Sequence, residues 1–321
     1  MSAAPAALDL EAVRAAAAHI APYVRATPLI AMVPRGLNLK AENLHPIGAF
    51  KIRGAFNAIL SLSDAERARG VIAYSSGNHA QAVAYAADAL GVRATVVMPR
   101  NAPVAKLEGA RRWGADLVLV GGASAERAAQ AEALVAQHGY VLIPPFDAWS
   151  IMQGTATIGL ELIAALPMLE AVYVPVSGGG LLAGVASAVK QLNPAVRVIG
   201  VEPALADDAA QSFRTGGRVI LPAEQTARTL ADGLRVQQLG ALTWPVIQAY
   251  VDDIITVSEA EIRAAMRMIA TGAHLIAEPS GAVACAGALQ QGGDLTRAAA
   301  VLSGGNVDLD LLAEILAEGA A

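Results

Sequence analysis

Apolar positions along this chain recur with two periods, and the alternation between them lays out the architecture. After Lys51, the residues Ile52, Ala55, Phe56, Ile59 and Leu60 fall at i, i+3, i+4, i+7 and i+8, the stripe of a helix packed against a core. Residues 9–24 predict an amphipathic helix that leaves through an extended Thr27-Pro28-Leu29, and 30–41 a short hairpin turning at Pro34-Arg35-Gly36. From Gly70 the period changes. Apolar, β-rich runs at 71–74, 92–98, 117–120 and 140–143 alternate with alanine-rich helical segments that stop at Gly91, Gly114 and Gly139. A second series follows Pro144-Pro145: a helix near 155–166, then strands at 171–176, 196–201, 254–257 and 299–302. Ser258 and Glu261 form a capping box after the third of these strands. Strand-helix alternation predicts parallel sheets with helices on both faces. Two α/β units are expected, the smaller (48–145) inserted into the larger (1–47 with 146–321).

Composition narrows the class. At 321 residues the chain exceeds one modest core. Its 55% hydrophobic content is carried mainly by alanine and valine, with 4% aromatic, and no run approaches the ~18 apolar residues of a spanning helix. The nearest stretch, 266–289, is interrupted by Arg267, Glu278 and Pro279. Asp9, Glu11 and Arg14 fall where a signal peptide would be apolar, so none is expected. The single cysteine, Cys285, excludes an intramolecular disulfide and a cysteine-cluster metal site. A net charge of −5 without a basic block argues against nucleic acid and anionic membranes as partners. The expectation is a soluble, cytoplasmic protein that acts on a small molecule.

Candidate chemistry sits in the loops. Lys51 lies between Phe50 and Ile52 in the first turn of a core-facing helix, where desolvation and the helix N-terminus both lower an amine's pKa. That is the condition for a Schiff-base or general-base lysine, although a lysine with a packed stem and a solvated head also fits. Ser177-Gly178-Gly179-Gly180-Leu181 joins a strand to a helix N-terminus, where converging N–H groups suit an anion. Gly178-x-Gly180-x-x-Ala183, with Glu202 at the end of the next strand, also satisfies the dinucleotide fingerprint. On this motif alone a dinucleotide and a simple phosphate ester fit equally. Ser75-Ser76-Gly77-Asn78-His79 opens another helix and suits a substrate carboxylate, or serves only as a cap. Ser303-Gly304-Gly305-Asn306 places a further hydroxyl at a strand end. A lysine, an anion cup, a carboxylate loop and a hydroxyl together suit a cofactor with an aldehyde, a phosphate and a polar ring.

From Thr27-Pro28-Leu29 to Asn306 the chain resembles the fold type II pyridoxal-phosphate enzymes, in the threonine/serine dehydratase and serine racemase branch. The resemblance rests on KAENLHPIGAFKIRGAFNAI, SSGNHAQAVAYAA, VPVSGGGLLAG, GVEP with Ala206-Asp207-Asp208, LADGL, AEPSGA and LSGGNVD. It implies a tryptophan-synthase-β-like fold of two open, twisted, mostly parallel sheets flanked by helices. It implies pyridoxal 5'-phosphate held by Lys51 as a Schiff base, with Phe50 beside the ring and Asn78 at its phenolic oxygen. Ser177, Gly178, Gly179, Gly180 and Leu181 would cradle the phosphate, Gly233 would line the ring, and Ser303 would meet the pyridine nitrogen. Ser75, Ser76, Gly77, Asn78 and His79 would bind the substrate carboxylate, with Ser76 as a second acid/base on the face opposite Lys51. Glu202, Asp208 and the Ala206 carbonyl match the family's divalent-cation site, whose hard oxygen ligands fit Mg²⁺ or Ca²⁺. The same match takes Glu202 out of the ribose role.

The implied activity is elimination of water from a β-hydroxy-α-amino acid, such as threonine or serine, to a 2-oxo acid and ammonia. Racemisation is the alternative within the family, and a nicotinamide-dependent oxidoreductase the alternative outside it. A homodimer is expected, since relatives often dimerise. Two departures bear on substrate. Ile47-Gly48-Ala49-Phe50-Lys51 lacks two hydroxyls usual before the lysine, and the segment 145–155 is short and carries Trp149 and Met152. A bulkier substrate such as phenylserine is therefore also expected to be accepted.

Overall fold

A computed structural model of the chain describes residues 6–318 except positions 34, 76, 101, 103, 122 and 123. Ten strands are described: β1 (Leu29–Met32), β2 (Leu37–Ala41), β3 (Val71–Tyr74), β4 (Ala94–Pro99), β5 (Asp116–Val120), β6 (Val141–Leu142), β7 (Ala171–Pro175), β8 (Arg197–Pro203), β9 (Asp253–Val257) and β10 (Ala298–Leu302). They form a six-stranded sheet, β1-β2-β10-β7-β8-β9, and a four-stranded sheet, β5-β4-β3-β6. Every pairing is parallel except β1 with β2. The strands of the smaller sheet all fall between β2 and β7 in the chain.

Alternation along the central strands explains the double helix layer. In β10, Ala299 and Val301 join a core shared with helices Trp149–Ala165, Gly180–Leu192 and Thr243–Tyr250. Ala298, Ala300 and Leu302 point the other way, against helices Glu259–Gly272 and Pro279–Gln291. Local signals hold closely. Gly91, Gly114 and Gly139 all take positive φ, and Ser258 with Glu261 makes both bonds of the capping box. The predicted 9–24 helix runs from Leu10 to Ile20, because Pro22 carries no N–H to extend the ladder.

One helix departs further from expectation. The segment 149–154, read as connection, is the first part of a helix running Trp149–Ala165. Gly154 argues against a helix on propensity, yet a Cβ there would lie 2.5 Å from the Arg53 carbonyl oxygen and 2.8 Å from Gly54 Cα. The glycine is present so that this helix can approach the Lys51–Leu60 helix closely, a tertiary demand that overrides propensity.

Candidate active site

Lys51 is the first residue of its helix, and Ile52, Ala55, Phe56 and Ile59 are buried as the stripe predicts. Gly48 makes the preceding turn at φ +71°, where a Cβ would collide with the Asn306 side chain. The Lys51 Nζ donates to the Pro145 carbonyl at 2.6 Å and lies 5.1 Å from the Phe50 ring centroid. Burial pulls its ammonium down to about 8.

A closed chain of contacts leads from this lysine around the site and back. The Phe50 N–H donates to the Ser303 carbonyl at 3.0 Å, and Ala49 bridges Gly304. The Ser303 hydroxyl lies 3.5 Å from the Ser280 carbonyl, and the Ser280 hydroxyl accepts from the Gly233 N–H at 2.9 Å. The Gly233 carbonyl accepts from the Ser177 hydroxyl at 3.2 Å. After Ser177 comes the glycine turn, where a Cβ on Gly178 or Gly180 would fall 2.5 to 2.9 Å from Phe146. Phe146 follows Pro145, which holds Lys51. Every cofactor-side residue named from the sequence except Leu181 and Asn78 therefore belongs to one ring of contacts, and those two flank it.

The glycine turn is built for an anion. Gly179 takes φ +92°, the helix starts at Gly180, and its first internal bond runs from the Ala183 N–H to the Gly179 carbonyl. The N–H groups of Gly180, Leu181 and Leu182 are thus free of helical partners and share one direction. The turn is braced from behind. Gly178 O accepts from the Gly240 N–H and the Thr243 hydroxyl, while the Asp147 carboxylate accepts from the N–H groups of Ala241, Leu242 and Thr243. Ser177 holds φ +58° without being glycine, a strained conformation of the kind that persists at ligand sites.

Asn78 begins the helix Asn78–Ala89. Its Nδ2 donates to Glu278 Oε1 at 2.6 Å and its Oδ1 accepts from Asn306 Nδ2 at 2.8 Å, which fixes the amide in one orientation. The Gly77 N–H is taken by the Ser75 hydroxyl at 3.2 Å. Ser76 lies outside the described residues. The His79 side chain points inward and donates from Nε2 to the Ile143 carbonyl at 2.9 Å. Burial, and then the charge of Lys51, push this imidazole down to about 3, so it is neutral. What His79 offers a ligand in this loop is its main-chain N–H.

Glu202 and Asp208 form a second, separate cluster. Glu202, at the end of β8, is buried and accepts from the Ala210 N–H at 2.9 Å. Both carboxylate oxygens of Asp208 are buried without a hydrogen-bond partner. Burial, then the neighbouring Asp208 charge, push the Glu202 carboxyl well up, and burial pushes Asp208 up to about 7. Ala206 lies on the buried turn between them. Two desolvated carboxylates, with both Asp208 oxygens orphaned, fit a divalent cation. Paired with Asp208 inside the protein, Glu202 is not presented to a ribose.

The residues around Lys51 fit pyridoxal phosphate: a buried amine of lowered pKa, a glycine cradle of free N–H groups, and a neutral hydroxyl at the far end. A family profile described as pyridoxal-phosphate dependent enzyme matches residues 18–304. The chain belongs to this family. Serine racemase of Oryza sativa subsp. indica is 41% identical over 323 residues, covering 97% of this chain and 94% of the relative. L-threo-3-hydroxyaspartate ammonia-lyase of Saccharomyces cerevisiae is 40% identical over 308 residues, covering 93% of each. Catabolic L-threonine dehydratase of Escherichia coli is 41% identical over 281 residues, covering 86% and 84%. Among solved structures, maize serine racemase superposes with a TM-score of 0.90 at 38% identity over 98% of both chains. The T.th. threonine deaminase does so at 0.88 and 44%, covering 94% of this chain and 99% of that one. Family membership makes pyridoxal phosphate the cofactor and sets the nicotinamide reading aside.

Sequence reasoning passed over several participants. Pro145, Phe146, Ser280, Glu278 and Asn306 received no role, although AEPSGA and LSGGNVD contain three of them. The supposed tuning by Met152 is corrected, because that side chain is fully buried in the core behind the site; Trp149 is half-buried against the same core.

Proposed function

We propose that this protein is a pyridoxal-phosphate-dependent ammonia-lyase that removes water from a β-hydroxy-α-amino acid, leaving a 2-oxo acid and ammonia. The observation that carries the reading is Lys51, a desolvated amine at about 8 inside a ring that ends on a neutral serine. Relatives named for threonine dehydratase and hydroxyaspartate ammonia-lyase activity support it. When bound, the cofactor supplies an electron sink that acidifies the substrate's α-proton. Lys51, with a pKa near ambient pH, is matched to take that proton as a general base and return it as an acid. The N–H groups of Gly180, Leu181 and Leu182 would hold the phosphate, with Gly178, Gly179 and Ser177 shaping the turn. Phe50 and Gly233 would bound the ring, and the Asn78 amide would bind its oxygen substituent. The Ser303 hydroxyl would meet the ring nitrogen and, unlike a carboxylate, would not hold it protonated, a setting that suits elimination. The N-terminal turn around Ser75 to His79 binds the substrate carboxylate.

Glu202, Asp208 and the Ala206 carbonyl take Mg²⁺ or Ca²⁺ in this reading, supported by the two orphaned Asp208 oxygens. In this reading 48–145, which carries the smaller sheet, is a domain inserted within 1–47 and 146–321. Cytoplasmic location belongs to this reading; among the described residues no helix is long and apolar enough to cross a membrane. The homodimer rests on the family resemblance and is checked by sedimentation.

The test is a visible spectrum of the purified protein with serine, threonine and phenylserine in turn, followed by borohydride reduction and peptide mass spectrometry. A yellow band that shifts with substrate, release of 2-oxo acid and a reduced adduct on Lys51 are expected. A protein that stays colourless with added pyridoxal phosphate overturns the assignment. The serine racemase relatives favour one second reading, racemisation with Ser76 as the opposing acid/base. Recovery of both enantiomers without oxo acid would establish it.

A further inference from the structure

Two residues beyond Lys51, the same helix buries an arginine, and every donor on that arginine is used. Arg53 Nε donates to Glu42 Oε2 at 2.7 Å, and Nη2 to Glu42 Oε1 and Glu161 Oε2, both at 2.9 Å. Nη1 donates to Thr157 Oγ1 at 2.9 Å and to Glu161 Oε1 at 2.6 Å. A guanidinium has five N–H groups, and all five are satisfied by two carboxylates and a hydroxyl. The acceptors are themselves tied down. Glu42 also accepts from the Thr27 hydroxyl at 2.6 Å and pairs with His45, and Glu161 is bound by Lys40, whose ammonium also reaches the Thr27 carbonyl. The hub therefore joins the Lys51 helix to the end of β2 and to the Trp149–Ala165 helix.

Position on the helix gives this hub a consequence for the site. At about 100° per residue, Arg53 projects roughly 200° around the axis from Lys51, so it anchors the face turned away from the cleft. The neighbouring contact with the Trp149–Ala165 helix is made through Gly54 and Gly154, backbone against backbone. Such a contact permits close approach, and the side chain that Gly54 meets there, Ile151, is apolar and supplies no directional bond. Asn57 Nδ2 adds two bonds, to the Ser150 carbonyl at 2.7 Å and to Gln153 Oε1 at 3.3 Å; the guanidinium adds three to this helix, on Thr157 and Glu161, and two more to Glu42. Buried ion pairs are poor sources of net stability compared with apolar packing of similar volume, whereas five directional bonds define an orientation.

We infer that Arg53 is the positioning residue of Lys51: by fixing the roll of the Lys51–Leu60 helix it aims the Lys51 amine at the Pro145 carbonyl, inside the desolvated cleft. The inference rests on Lys51 being the reactive amine, but it concerns the protein without cofactor. The groups facing that amine are the Phe50 ring, the Pro145 carbonyl and the neutral His79.

The test is the pH dependence of reductive methylation of Lys51 in cofactor-free protein, using formaldehyde and cyanoborohydride and read on the Lys51 peptide by mass spectrometry. In wild type the half-maximal rate is expected near pH 8. Arg53→Lys keeps the charge and loses the fork, so the amine should relax towards water and its midpoint rise by about one pH unit or more. Ile59→Ala, in the core of the same helix and clear of the hub, should lower the melting temperature without moving the Lys51 midpoint. If Arg53→Lys lowers the melting temperature but leaves the midpoint at the wild-type value, Arg53 is merely structural and the inference fails. Should Arg53→Lys not fold, Glu161→Gln retains the Glu42 fork and is judged the same way: an upward shift supports the inference and no shift overturns it. Borohydride trapping on the wild-type holoenzyme separates the two readings. A missing Lys51 adduct, alongside a midpoint that responds to Arg53→Lys, would sink the cofactor role and leave the positioning role standing.

Discussion

Two acidic clusters of this molecule, one around Arg53 and one at the end of β8, meet their surroundings in opposite ways. Around Arg53, Glu42 and Glu161 meet a guanidinium and the Lys40 ammonium, and each donor and acceptor finds a partner. At the end of β8, Glu202 and Asp208 face each other with no cation beside them, and both Asp208 oxygens lack a hydrogen bond. Titration follows the difference. Burial pushes the Glu42 carboxyl up, but Arg53 and His45 outweigh burial and hold it well below the usual carboxylate range. Nothing outweighs burial for Asp208, which rises to about 7. The first region is a completed piece of architecture; the second leaves two carboxylate oxygens without a partner.

The largest expected effect tests completeness. Arg53→Met leaves Glu42 buried without its counter-charge and should cost about 3–5 kcal/mol of unfolding free energy in urea titration. A loss below about 1 kcal/mol would mean the hub was never tightly coupled. Next comes the cation. Chelated protein given Mg²⁺ or Ca²⁺ at about 100 times the dissociation constant should gain about 2.7 kcal/mol at pH 8 by mass action, and chelator should reverse it. No change in melting temperature with either ion would place the second region among inert buried acids.

The dependence on pH sharpens the contrast, since the two regions should slope in opposite directions. Asp208 and Glu202 have folded-state pKa values raised above the unfolded ones, so the folded state binds their protons more tightly. Their contribution is present below about pH 4 and is lost as pH rises through about 7. Glu42 is depressed, so its contribution is present above the ordinary carboxylate pKa and is lost only as pH falls well below it. Metal-free melting temperature should therefore decline between pH 5 and 8, and saturating cation should flatten that decline. A metal-free curve that is flat over the range breaks the comparison. The smallest effect is expected from Asp208→Asn, which removes one of two repelling charges. Stability of the metal-free protein should change by no more than about 1 kcal/mol, in either direction, while the response to cation disappears.

Much of the site was legible because its parts are local. A lysine flanked by apolar residues after Pro46 and Gly48, glycines between a strand and a helix, and a serine at a strand end each reveal themselves within a few residues. Lys51, Ser177 to Gly180, Gly233 and Ser303 lie in one ring of contacts, with Leu181 beside it. Ring members without such a local signal were passed over. Pro145 contributes a carbonyl and Phe146 a ring face, and neither residue type advertises that role. His79 shows the converse: its position in the loop was legible, but the inward turn of its side chain depends on the Ile143 carbonyl across the smaller sheet.

Periodicity, capping and turn chemistry act over one to four residues, and so the sequence by itself determined the helices, the strands, their parallel arrangement and the order of the active-site loops. Tertiary structure decided which distant charges meet. Arg53 and Glu161 are 108 residues apart and Lys40 and Glu161 are 121 apart, so no local pattern announces their pairing. It also decided that Gly154 belongs inside a helix, because only two backbones in contact make a missing side chain favourable there. Most of all, it separated two sets of buried carboxylates that look alike as letters. Whether a buried charge is satisfied depends on what the fold brings within about 3 Å of it, and that distance is fixed only once the chain is packed.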